Sequence, residues 1–381
     1  MNAVGGSAGN LGDGVAQLLG ALAGPDRARL APGLSRLDWV APLPNAAAPG
    51  FLYLAGALDG AAAGGGGRTP AEAAGRLAGE AAEAAARAAP PLLRRDLPGD
   101  PEIDAIWTRD PKCTRIAASD PQDGAPVGLP AVSVFSGPEL DAERRPEAPP
   151  GSLGLAAGPS QAAARLSGLL ELVERDAAAR WWAGLDLPRA LDPGLAADAA
   201  SELAAMRRGA SPPGRATTLL RLEARCGVPV VCAFSSEPDG RGLAIGLKAA
   251  LEPAVAARGA VMELLQMEIA LEMARMRHTR GEPTAGDASA LDRAALDLDA
   301  LPAFSARPAR AMASRRPLTG MPELVRALAR EGIRIVAADL DAPGMELHVA
   351  KIAASGLMPF PSGHEQSPRP GAPGKLARLM G

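Results

Sequence analysis

The chain has 381 residues, 47% of them hydrophobic but only 3% aromatic, so its core must be built from Leu, Val and above all Ala. Its 44 glycines and 37 prolines stay below the roughly 25–30% that marks a low-complexity chain, and a net charge of −3 without blocks of one sign excludes a protein that binds nucleic acid chiefly by neutralising phosphates. Cys113, Cys226 and Cys232, with His278, His348 and His364, form neither a disulfide framework nor a zinc-binding spacing.

The N-terminus lacks a basic segment followed by an apolar run, and no stretch of 18 apolar residues occurs, so a soluble cytoplasmic protein with no membrane span is expected. Residues 1–40 read as an N-terminal arm with one helix near Val15–Ala23, ended by Gly24-Pro25; residues 41–381 read as the domain proper. Phe51–Ala55 predicts a short buried strand. The run Gly64–Gly67 is either a flexible turn or a phosphate cradle. Thr69-Pro70 then caps a helix over Ala71–Ala89, stopped by Pro90-Pro91. Residues 96–150 are rich in Asp, Pro and Gly and read mostly as loop, with one strand at Val132–Phe135. A long helix follows from Ser160 to Trp182, then a helix over Pro193–Arg208 and strands at Ala216–Leu222, Val228–Phe234 and Leu243–Gly246. The last two form a hairpin about the turn Glu237–Gly240. A further long helix spans Pro253–His278. Beyond a proline-punctuated stretch, the chain ends in a helix Met321–Glu331, strands Ile333–Ala338 and Leu347–Ile352, and an extended segment with Met358-Pro359-Phe360-Pro361. The class is α/β, with long helices packed on antiparallel or mixed sheets.

Three of these helices carry an acidic or amide pair at i, i+3: Glu80/Glu83, Glu171/Glu174 and Glu263/Gln266. Two side chains three apart lie about 60° from each other on one helix face and can reach a common point. The neighbours are alanines or large apolar residues, and buried carboxylates must be neutralised. A hard cation does this for several at once, and magnesium with a nucleotide phosphate is the natural choice. Glu268 and Glu272, by contrast, read as a solvated face. No phosphate-binding G-x-x-x-x-G-K-[ST] loop and no G-x-G-x-x-G entering a helix is present.

The string Gly154-Leu155-Ala156-Ala157-Gly158 … Gly168-Leu169-Leu170-Glu171-Leu172-Val173-Glu174-Arg175-Asp176-Ala177 … Trp181-Trp182 strongly resembles the central motif of the YcaO family, ATP-dependent enzymes acting on backbone amides of ribosomal peptides. Gly65–Pro70 leading to Gly79-Glu80-Ala81-Ala82-Glu83, and Gly246 followed by Glu263-Leu264-Leu265-Gln266, fall in the family's order. So do Gly128–Ala131, Gly332–Leu340 and Gly356–Pro361, and the likeness spans residues 50–361. The resemblance implies a mixed α/β YcaO-type fold and ATP and Mg2+ as cofactors. Glu80, Glu83, Glu171, Glu174 and Glu263 become metal or nucleotide ligands, Arg175 a phosphate contact and Gln266 a supporting residue.

The activity so implied is cyclodehydration. A Cys, Ser or Thr side chain of a precursor peptide attacks the preceding amide carbon, ATP phosphorylates the resulting oxygen, and phosphate leaves to give a thiazoline or oxazoline. No residue stands out as a general base. A leader-binding or ubiquitin-activating-like partner protein and a homodimer are implied as well. One alternative is thioamide formation with a TfuA-like partner. The family usually has Lys at Gly66, Ser at Arg76, Arg at Ala84, Asn at Pro159 and an acidic residue at Ala163. Gly66, Ala84 and Pro159 suggest a second alternative, a degenerate scaffold that binds peptide or partner without ATP turnover. Trp181-Trp182 and Cys232 read as core, His348 as a bystander and His278 as a helix-end dipole partner.

Overall fold

The structure, a computed structural model, describes residues 11–358 apart from 147, 150, 211–213, 285, 299–303 and 305–317. The chain opens with helices α1 (Leu11–Ala21) and α2 (Gly24–Leu34), followed by strands β1 (Trp39–Leu43), β2 (Leu52–Leu58) and β3 (Ala61–Gly67) and helix α3 (Pro70–Ala88). Gly24-Pro25 begins α2 where the sequence suggested a helix end. Proline in a first turn has no N–H to lose, so it opens a helix as readily as it closes one. Leu18, Leu22, Leu30 and Leu34 of this N-terminal stretch share one core with Leu54 of β2 and Leu77 and Ala81 of α3.

Gly64–Gly67 is neither a flexible turn nor a phosphate loop. It is the second half of β3, paired antiparallel with Leu52–Ala55 and buried beneath α3. A Cβ on Gly65 would stand 2.2 Å from Ala73 O and 2.3 Å from Leu77 N. Glycine's poor strand propensity is overridden because only a strand without side chains lets the helix backbone come this near.

Residues 96–150 hold more structure than their composition suggested: α4 (Pro101–Trp107), β4 (Arg115–Ser119), β5 (Pro126–Pro130) and α5 (Pro138–Glu143). Val132–Phe135 is not a strand; Ala131–Ser133 forms a single 3₁₀ turn whose apolar side chains are simply buried. With β6 (Leu155–Gly158), β11 (Ile335–Leu340) and β12 (His348–Ala354), these strands build a five-stranded antiparallel sheet in the order β5-β4-β11-β12-β6.

Helix α6 (Gln161–Trp182) starts at Ser160, whose hydroxyl accepts the Ala163 N–H at 3.2 Å. After it come β7 (Arg189–Ala190), α7 (Pro193–Met206), β8 (Ala216–Leu222), β9 (Val230–Ser236), β10 (Ala244–Ala249) and α8 (Pro253–Arg280). Their strands form a third antiparallel sheet, β10-β9-β8-β7, with the expected hairpin. Helices α9 (Asp287–Ala294) and α10 (Met321–Arg330) precede β11. The β10–α8 unit repeats the β3–α3 contact: a Cβ on Gly246 would lie 2.2 Å from both Ala260 O and Leu264 N. Trp181 packs edge-on against Trp182 and Phe304, as core aromatics do.

Glu268 does not lie on a solvated face. It is 2% exposed, and its Oε1 accepts from Arg207 (2.6 Å) and Ser235 (2.6 Å) beside Arg215. Glu272 is solvated as expected. Among the described residues, no helix is long and apolar enough to cross a membrane.

Candidate functional site

Each of the three sheets ends in an edge strand, β3, β6 or β10. An antiparallel edge leaves alternate N–H and C=O groups without a strand partner. Here the glutamates supply one. Glu83 Oε1 accepts from Ala157 N–H (3.0 Å) on β6, and Glu171 Oε2 from Gly154 N–H (3.0 Å) in the turn just before it. Glu174 Oε2 accepts from Ala249 N–H (2.8 Å) and Glu263 Oε2 from Leu247 N–H (3.1 Å), two residues apart on the open side of β10. The Gly64 N–H on β3 faces Glu80 and favours its charged form. Helix α3 thus ties the first sheet to the five-stranded one, and α6 ties that sheet to the third. The i, i+3 spacing makes this reach possible, since the two glutamates of a pair point together but engage different strands.

Arg175 stands among these carboxylates, its Nη2 3.8 Å from Glu171 Oε1 and its Nε 3.9 Å from Glu174 Oε1. Arg87 near Glu80 and Glu83, Lys351 near Glu171 and Lys248 near Glu263 add positive charge, yet burial and mutual repulsion still raise Glu80, Glu83, Glu171 and Glu263. Burial pushes Glu83 up to about 8, with the charges of Glu80 and Glu171 adding to it. Burial and then Glu174 raise Glu263 to about 7. Glu171 is also raised, by burial first and then by Glu174, and Glu80, although exposed at the surface, is raised by the protein packed around it and by Glu171. For Arg175 burial works against the charged form, but Glu174, Glu263 and Glu171 outweigh it and hold the guanidinium protonated. The side chain of Glu171 keeps 28% of its surface and Arg175 20%, against 5% for Glu174, so one side of the cluster is open to solvent.

Among the described residues, no three His, Cys, Asp or Glu side chains gather tightly enough to hold an ion unaided. Hard oxygen donors in a cluster with one side open to solvent still fit one class of cation. Magnesium is commonly held by one or two carboxylates, with phosphate oxygens and water completing its octahedron.

The structure brings Glu80, Glu83, Glu171, Glu174, Arg175 and Glu263 together, while Gln266 lies half-buried one turn beyond Glu263 on α8. Sequence reasoning missed the amide donors, which have no side-chain signature. It also passed over Lys351, a single charge within the apolar strand His348–Ala354 that could have been noticed. Lys351 is fully buried, its Nζ donating to Gly151 O (2.9 Å) and Leu153 O (2.5 Å). Burial lowers its pKa to about 7 despite the opposing charge of Glu171. Asp176, also fully buried, accepts from Met358 N–H (2.7 Å) and Arg225 Nε (3.3 Å). At Gly66 a Cβ would meet the Phe51 ring at 2.2 Å, so a longer side chain has no room, and Arg76 places its guanidinium on Gly66 O. Pro359–Pro361 lie outside the described residues.

Residues 66–358 match the family model described as YcaO cyclodehydratase, ATP- and Mg2+-binding. No curated protein sequence matches the chain. Among solved structures, a heterocyclase in complex with substrate and cofactor is similar with a TM-score of 0.67 at 18% identity, covering 91% of this chain and 52% of that one. The chain therefore spans about half the length of that heterocyclase. The YcaO protein of Methanopyrus kandleri, bound with AMPPCP and Mg2+, gives 0.61 at 20% identity over 84% of this chain and 86% of that one. The microcin synthetase McbBCD complex of E. coli gives 0.57 at 12% identity, covering 83% and 86%. At such identities the neighbours establish the fold, while the family model covers most of the sequence: the chain belongs to the YcaO cyclodehydratase family.

Proposed function

We propose that this protein uses ATP and Mg2+ to activate backbone amides of a ribosomally made peptide, forming thiazoline or oxazoline rings from Cys, Ser or Thr. The observation that carries the reading is the gathering of five glutamates from three helices, three of them about Arg175 and four oriented by backbone amides of β6, of the turn before it and of β10. In this reading Glu80, Glu83, Glu171, Glu174 and Glu263 hold the metal ions, and Arg175 faces the phosphates. When bound, magnesium would offset triphosphate charge and orient the γ-phosphate, which is positional and electrostatic catalysis. The protein's own part is to keep the carboxylates aimed. Backbone amides fix one oxygen of Glu83, Glu171, Glu174 and Glu263, and Arg175 lies 3.8–3.9 Å from Glu171 and Glu174.

We also propose that a partner chain presents the precursor peptide. Two neighbours support this reading: one is about twice as long as the residues it shares with this chain, and another is a multi-protein complex, also solved with pro-MccB17 bound. The test is calorimetric titration of Mg2+ATP into the wild-type chain and Glu171→Ala. Binding by the wild type and at least tenfold weaker binding by the variant, about 1.4 kcal/mol, are expected. No binding at millimolar ATP with partner and peptide present would sink the enzyme reading.

A further inference from the structure

We propose that Lys351 is the positioning residue of Glu171, acting through the turn Gly151–Gly154; this rests on the nucleotide reading above. Lys351 sits in mid β12, opposite Ala338 of β11 and Leu155 of β6, and none of its surface reaches solvent. A methionine of similar volume would fill that place without the cost of burying an ammonium group. What the lysine adds is donors. Two go to Gly151 O and Leu153 O, and the ammonium stands 5.4 Å from the Trp107 ring centroid.

Both carbonyls lie within three residues of Gly154, whose N–H orients Glu171 Oε2 at 3.0 Å. The turn is fastened at its other end too. Gly154 O accepts Ile352 N–H at 2.7 Å, and Gly154 itself is left-handed (φ 75°), with no room for a Cβ against Ile352 O (2.3 Å). Adjacent residues of β12 therefore grip the turn, one by side chain and one by backbone. Without the lysine, the carbonyls at 151 and 153 lose their donor, the Gly154 N–H is free to turn, and the central carboxylate of the cluster loses its aim.

The experiment compares Mg2+ATP binding by the wild type and Lys351→Met by calorimetry, with thermal melting of both. Affinity lower by tenfold or more in the variant is expected, with the loss appearing in the Mg2+-dependent part of binding. If the wild type does not bind Mg2+ATP, the nucleotide reading fails and this assignment falls with it. If the wild type binds and Lys351→Met binds within twofold, melting lower only, the lysine is structural and the assignment alone is overturned. Should the variant fail to fold, the wild type labelled with 15N at its four lysines gives the same answer. One exchange-protected ammonium signal that shifts on saturation with Mg2+ATP supports the assignment, and no protected signal that shifts overturns it.

Discussion

Glu83 and Glu263 illustrate how far position can move a carboxyl group. Burial and neighbouring negative charge raise them to about 8 and about 7, so at neutral pH the ligand-free cluster carries protons that a metal held there, as proposed, would displace. A raised folded-state pKa contributes stability that is fully present below the unfolded value, near 4.3, and is lost as pH rises through 7 and then 8. The ligand-free protein is expected to melt lower at pH 9 than at pH 6, by on the order of 5 °C, and Mg2+ATP is expected to bind more tightly at pH 9. Scanning fluorimetry across that range checks both; a melting temperature that rises with pH contradicts the assignment of these protons. Glu268 is acidic for another reason, neutralising Arg207 and Arg215 inside the protein. Glu268→Gln is expected to cost about 3 kcal/mol in urea unfolding without touching nucleotide affinity. The sequence distinguishes these glutamates poorly. The i, i+3 pairs were visible, but whether a lone glutamate on a long helix meets water or two arginines depends on which helix and strands pack against it.

At the scale of elements, α3, α6 and α8 were legible almost to the residue, because Thr69-Pro70, Ser160 and Pro253 mark their starts and the runs that follow are strong helix formers. The strand β3 was not, since AAAGGGG has no side chain with which to announce a strand. Its glycines have meaning only against α3, a partner the local sequence does not reveal. The same holds for Gly246 under α8. Gly246→Ala is expected to destabilise the protein by about 2–3 kcal/mol, because helix backbone on one side and sheet on the other leave nothing flexible to move. An unchanged denaturation midpoint would contradict the close contact described.

For the whole molecule, the α/β class and one antiparallel hairpin followed from the order of helices and strands, while the choice between antiparallel and mixed sheets and the meeting of three sheet edges did not. Residues 1–40 looked like an arm, yet the leucines of α1 and α2 complete the core over α3 and β2. Removal of residues 1–35 is expected to lower the melting temperature and increase binding of a hydrophobic dye; a truncated chain that melts like the full one would contradict that packing. The strand edges also bear on which ion the proposed site would prefer. With one oxygen of each of four glutamates accepting an amide at 2.8–3.1 Å, only the other oxygen is free of an amide, and a grip through both would compete with that hydrogen bond. Calcium takes six to eight oxygens and draws on carboxylates gripping through both, whereas magnesium asks for six at short, fixed distances. Under the proposed reading, donors held by amides favour one-oxygen ligation, and calcium is expected to be a poor substitute for magnesium even in excess.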